Sequence, residues 1–316
     1  MYDKDSKGIS YSAGFFMLIA FCVTGIILSV FIGVYVWQAM TGTGALKMPE
    51  LIKDPAYSDA AKTVQCIAFV VGFLLPAIVT AMLLNRRPMK LIGLSYKFTW
   101  KQAGLVIAIM LAALWVGGFL SFITEQLPLS DSLRQRFDKM ENNYQTEAQA
   151  MLVMNNTFDY LFSLFVMAFL PALCEETVFR GGLQNYLFRW TNRPWLSIII
   201  VSIIFSAVHF SFYGFLARVF LGIVLGVIYH YSGRLWLSVV AHFLNNAIIV
   251  TWAYLAQMQG QPIQDELAEK KYTWIGVFAI PIVIALLMYF KKIGNKPKEE
   301  DDGKLRNEEL RNTPFY

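Results

Sequence analysis

Blocks of consecutive apolar residues, each about the length that crosses roughly 30 Å of hydrocarbon, recur through the whole 316-residue sequence. They fall near 11–40, 63–84, 103–123, 157–178, 195–210, 215–232, 235–256 and 273–290, about eight spans in all. In hydrocarbon every backbone N–H and C=O must be satisfied internally, and segments of this length do that as helices. The expected fold is therefore an all-α, polytopic membrane helix bundle with about eight transmembrane helices. The block at 195–210 is the shortest and ends in His209. With 56% hydrophobic and 16% charged residues, the composition excludes an ordinary soluble domain.

Charge sets the expected orientation. Residues 85–101 carry Arg86, Arg87, Lys90, Lys97 and Lys101 with no acid, whereas 124–150 and 259–271 mix both signs. Positive-inside counting makes 85–101 cytoplasmic. Alternation then puts Arg189, Arg193, Arg234, Lys291 and Lys292 on the same side, with both termini. The net charge of +5 concerns orientation and anionic lipid rather than nucleic acid. The first block is too long for a signal-peptide core and no small-residue cleavage site follows it, so it reads as an anchor. Direct insertion into a plasma membrane, most simply a bacterial inner membrane, is the expected location. Cys22, Cys66 and Cys174 lie inside apolar blocks and read as free buried thiols.

The chain divides into N-terminal helices and loops (1–150), a helix core bearing the polar clusters (151–256), a last loop and helix (257–290), and a charged tail (291–316) that composition keeps solvated.

An ionisable residue at bilayer depth is costly and normally faces a polar interior. Three clusters qualify: Glu175, Glu176 and Arg180 in EETVFR; Phe205 and His209 in FSAVH; and His242, Asn245 and Asn246 in HFLNN. Glu176 and Arg180 are four apart and can form a charge-assisted pair. Glu175 points about 100° away and needs another partner. His242 and Asn246, again four apart, share a helix face. Measured from the turn at 191–194, Glu175 and His209 both lie about 25 Å deep, while His242 is only about 14 Å past the turn near 232–234. The hairpin around 191–194 must then project beyond the bilayer face for the three to meet, in a cavity expected to open towards the cytoplasm. Phe205 reads as packing beside His209, His230 as interfacial, and Gly222 with Gly226 as a small-xxx-small helix contact, within the chain or between chains.

A buried glutamate near a histidine suits a general base for water, and His and Asn side chains suit an oxygen that gains negative charge. Together they point to hydrolysis of a carbonyl compound, a peptide bond above all. The sequence lacks the H-E-x-x-H, G-x-S-x-G and G-x-G-D motifs of other intramembrane protease chemistries. Cys174 is a poor nucleophile candidate, because apolar surroundings disfavour its thiolate.

These clusters resemble the E-E-x-x-x-R, F-x-x-x-H and H-x-x-x-N motifs of the CPBP family, membrane proteases related to type II CAAX prenyl endopeptidases and to bacteriocin-processing or immunity (Abi) proteins. The motif region covers about 171–250. The resemblance implies that Glu175 with His209 activates water, that His242 and Asn246 stabilise the oxyanion, and that Glu176 and Arg180 support the site. Members have been described both as metalloproteases and as glutamate-dependent enzymes, so the cofactor is either none or a zinc ion held by Glu175, His209 and His242. The lack of an i,i+4 histidine pair favours metal-independent water activation. The expected partner is a membrane-associated or lipidated protein or peptide substrate within the bilayer. The alternatives are a non-catalytic immunity factor or scaffold binding a peptide in the same cavity, and a proton-coupled transporter. The absence of repeated halves and paired broken helices weighs against transport.

Overall fold

The computed structural model describes residues 5–260 and 273–294. Among the described residues nine helices carry the architecture: α1 (Tyr11–Thr41), α2 (Pro55–Leu84), α3 (Trp100–Glu125), α4 (Asp131–Met151), α5 (Thr157–Thr191), α6 (Pro194–Ala207), α7 (Phe215–Ser232), α8 (Leu235–Met258) and α9 (Trp274–Ile293). Seven of them are long and apolar enough to cross a membrane, and α6 is a shorter apolar helix. This is a polytopic helical bundle. The outward faces are apolar, with Val23, Ile27, Val30 and Phe31 of α1 and Ile282, Ile284 and Met288 of α9 exposed, as lipid contact requires. The last helix continues through Ile293, three residues into the expected tail at 291–316; the tail beyond 294 and the loop at 261–272 lie outside the described residues.

Two ends of the bundle are defined by hydrogen bonds. The Lys7 amide donates to the Leu84 carbonyl and the Arg86 amide to Asp5. Gln102 Nε2 donates to the carbonyls of Ile293 and Gly294, and Arg234 to those of Lys97 and Gly294. The N-terminal segment, the cationic segment after α2, the α7–α8 turn and the end of α9 therefore share one end. The opposite end holds α4, the 208–214 loop and the start of α2.

Helix α4 was not expected. Its sequence mixes charges and reads as loop, but Phe137 stacks on Phe212 at 3.9 Å, Tyr213 donates to Asp138 (2.6 Å) and Ser211 to Glu141 (2.7 Å). It lies across the bundle's opposite end rather than spanning it.

Helix α5 is 35 residues long, about 50 Å at ~1.5 Å per residue, and so projects past the hydrocarbon as its polar clusters demand. It widens into π-helical turns at Phe165–Phe169 and Thr177–Gln184. The first precedes Pro171, which lacks an N–H and whose ring crowds the preceding turn; Val70–Leu74 before Pro76 in α2 repeats the arrangement.

The second π turn docks against α7. Arg180 Nη2 donates to the Gly222 carbonyl (3.1 Å) and Gln184 Nε2 to that of Gly226 (2.9 Å). Side chains four apart on one helix thus meet carbonyls four apart on the other, each using a lone pair left over from the helix ladder. Glycine at 226 permits the α5 approach, since a Cβ there would lie 2.7 Å from Gln184 Oε1, and glycine at 222 permits the packing of α6 on α7, since a Cβ there would lie 2.9 Å from Ser202 Cβ. The small-xxx-small pair therefore serves contacts inside one chain.

Gly222→Leu should destabilise the detergent-solubilised protein by about 1–3 kcal/mol through overpacking. Gly104→Leu, at a position with no atom within 4 Å of the added Cβ, should leave thermal unfolding unchanged.

Candidate active site

The site is assembled around one buried carboxylate. Glu176 Oε1 accepts from Arg180 Nη1 at 2.7 Å, one helical turn away, and from His242 Nδ1 of α8 at 2.9 Å. Glu176 and Arg180 are 0% and 1% exposed, so the pair has left solvent and each charge depends on the other. The guanidinium also lies 4.6 Å over the Phe205 ring of α6 and reaches Gly222 of α7. Arg180 thereby ties α5, α6 and α7 together, while Glu176 adds α8.

This network fixes the histidine. An ionised carboxylate only accepts, so His242 Nδ1 must carry the proton in that hydrogen bond. Its Nε2 then faces Glu175 Oε2 at 3.9 Å. Among the described residues that is the nearest ionisable partner of Glu175, and Oε2 is buried with no hydrogen-bond partner. The adjacent acids, about 100° apart on the helix, thus take different surroundings: Glu176 receives both Arg180 and His242 on Oε1, whereas Glu175 faces the His242 Nε2 at 3.9 Å, and the Oε2 of each is buried without a hydrogen bond.

His209 lies just past α6, where the chain turns through Phe210 in the left-handed region (φ 50°). Its Nδ1 sits 2.7 Å from the Phe205 carbonyl, which sets Nδ1 as the donor and leaves Nε2 free. Phe205 makes edge contacts with His209 (5.0 Å), His242 (5.8 Å) and Phe179 (5.1 Å). It does more than line a wall, since it lies between both imidazoles and the arginine.

Glu175, His209, His242 and Asn246 line one cavity of about 560 Å³ together with Phe205. Asn246 Oδ1 accepts from Asn245 Nδ2 at 2.9 Å, which leaves the Asn246 NH₂ to donate elsewhere. Asn245, to which no motif assigned anything, therefore orients its neighbour. The cavity also takes in Gln65, Tyr144, Glu147 and Arg218, which sequence reasoning missed because they come from separate elements with no shared spacing.

The direction of opening differs from the expectation of a mouth at the cation-rich end. The lining runs through Ser121, Tyr144, Glu147, Met151 and Gly214, all at the opposite end, beneath α4. The cause is the shortness of α6. Fourteen residues rise about 21 Å, too little to cross, and the space beyond Ala207 becomes the cavity.

Two carboxylate or carbonyl-anchored imidazoles with free Nε2 atoms beside a glutamate are donor types that zinc accepts. Among the described residues, however, no three His, Cys, Asp or Glu side chains converge to hold a metal ion. The donor geometry does not fit a three-ligand site.

Arg180→Met should strand Glu176 as a buried charge and lower stability by about 3–5 kcal/mol. Glu175→Gln, which alters a carboxylate with no hydrogen-bonded partner at Oε2, should change it by no more than about 1 kcal/mol. Thermal unfolding in one detergent measures both.

No solved structure matches the chain. The uncharacterized protein YpbD of Bacillus subtilis (strain 168) is 30% identical over 89 residues, 27% of this chain, and the aligned part spans 42% of that relative's length. Residues 157–248 match the family model for type II CAAX prenyl endopeptidase Rce1-like proteins. That segment runs from the start of α5 into α8 and contains Glu175, Glu176, Arg180, His209, His242 and Asn246, so the resemblance read from the motifs coincides with the part of the chain that builds the cavity.

Proposed function

We propose that the chain is an intramembrane endopeptidase of the CAAX-protease type, acting on a membrane-associated or lipidated protein or peptide. The observation that carries this reading is a buried Glu175 carboxylate, without a hydrogen bond at Oε2, facing a fixed His242 in a cavity roomy enough for peptide. The match of residues 157–248 supports the same class.

In this reading Glu175 takes a proton from a water molecule lodged beside His209, whose free Nε2 accepts a hydrogen bond and aims the oxygen. The water oxygen attacks the peptide carbonyl, the C=O π pair moves to oxygen, and the tetrahedral oxyanion forms. The Asn246 NH₂ donates to that oxyanion beside His242, whose Nδ1 is held by Glu176. Glu175 then hands its proton to the leaving amine as the C–N bond breaks. Glu176 and Arg180 touch no substrate and hold His242 in place. With the cation-rich end inside, as positive-inside counting has it, the cavity faces the outer half of a bacterial plasma membrane.

The test compares peptide termini, chemically labelled, in membranes of cells carrying wild type or Glu175→Gln at matched levels. New termini should appear with wild type and fall by at least ~100-fold with the variant. Indistinguishable termini, with the deletion phenotype rescued by Glu175→Gln, would replace the enzyme with a non-catalytic peptide-binding partner.

A further inference from the structure

Arg218 sits in the first turn of α7, where the helix's own positive pole disfavours a cation. It lines the same cavity as Glu175, His209 and His242. Its guanidinium is held from two sides: it lies 5.2 Å over the Tyr144 ring of α4, and it packs so closely on Gly214 that a Cβ there would clash with Nη1. Nη1 is buried with no hydrogen-bond partner, and no carboxylate of the described residues forms an ion pair with Arg218. A confined guanidinium with an unused donor is costly unless an acceptor arrives. Arg180, for comparison, has the Glu176 carboxylate as a counter-charge beside its bond to the Gly222 carbonyl, although its Nε too is buried without a hydrogen bond.

Resting on the endopeptidase reading of the cavity, we infer that Arg218 is a substrate-recognition residue that binds a carboxylate of the peptide, either its free C-terminus or an Asp or Glu side chain. The planar fork of a guanidinium matches a carboxylate with two parallel N–H···O bonds. Arg218 is one turn, about 6 Å along the axis, from Gly222, which anchors Arg180 at the level of the catalytic cluster. At ~3.3 Å per extended residue the carboxylate would then lie a few residues from the bond that is cut. Tyr144 places α4 in the same role, because the ring that seats the guanidinium belongs to the helix that covers the cavity. The cavity would thus read one charge at its mouth and cut at its base.

Binding is measured on full-length Glu175→Gln protein in detergent, so that the outcome does not depend on turnover. Three fluorescent probes are compared: an apolar hexapeptide as free acid, the same peptide as C-terminal amide, and the amide with one Asp near its C-terminus. The free acid, the Asp amide or both should bind at least ~10-fold tighter than the neutral amide, and which of them does so names the source of the carboxylate. Adding Arg218→Met should bring all three probes to similar affinity. Gly214→Ala, which keeps the charge but displaces the guanidinium, should weaken the preference with little change in thermal unfolding. Equal binding of the three probes, or a preference that survives Arg218→Met, would overturn the inference. So would Arg218-dependent stabilisation by phosphatidylglycerol micelles without any peptide preference, which would make the acceptor a lipid headgroup. Failure of the endopeptidase reading shows separately, as absence of Glu175-dependent cleavage in membranes.

Discussion

The carboxylate of Glu176 is the contact on which the rest of the site depends. Buried and shared between Arg180 and His242, it joins α5 to α8 directly and, through the arginine, to α6 and α7. A buried ion pair is weak evidence for stability in itself, because desolvation offsets most of the attraction. Its value here is specificity. Removing any partner leaves another charge exposed to a low dielectric, so the four helices have one favourable arrangement, and that arrangement aims His242 Nε2 at Glu175. The neighbouring Glu175 takes no part in that network and lines the cavity.

The same economy appears in the helices. Gly226 lets α5 approach α7 closely enough for Gln184 to reach a backbone carbonyl, and Gly222 lets α6 pack against α7 where Arg180 reaches the next. The π turns on either side of Pro171 and Glu176 widen α5 where it carries the acids. A helix α6 too short to cross provides the empty volume, and α4 covers it. The cavity is therefore a consequence of one truncated span among full-length ones.

Much of this was legible in the sequence. Hydropathy alone marks the spans, because a bilayer permits only a narrow range of helix lengths. Glu175, His209, His242 and Asn246 stood out because ionisable and amide groups at such depth need a reason, and depth counting put Glu175 and His209 level; the structure gathers all four round one cavity. Helix α4 was not legible, since its mixed charges match a solvated loop as well as a covering helix, and its docking partners, among them Phe212, Tyr213, Ser211 and Arg218, are distant in sequence. The bond from Glu176 to His242 was hidden for another reason. Spacing along one helix predicts the Arg180 pair, whereas a partner 66 residues away depends on how α5 and α8 pack. The mouth of the cavity was placed at the wrong end because depth from a turn says how far a residue is buried but not which side is left unfilled.

The account rests on a division of labour between two adjacent glutamates. The most direct test prepares Glu175→Gln and Glu176→Gln side by side, and records thermal unfolding in detergent together with the release of new peptide termini in membranes. The account predicts a stable, inactive Glu175 variant and a destabilised Glu176 variant whose loss of activity follows its loss of fold. Equal stability of the two, or continued cleavage by Glu175→Gln, would contradict it.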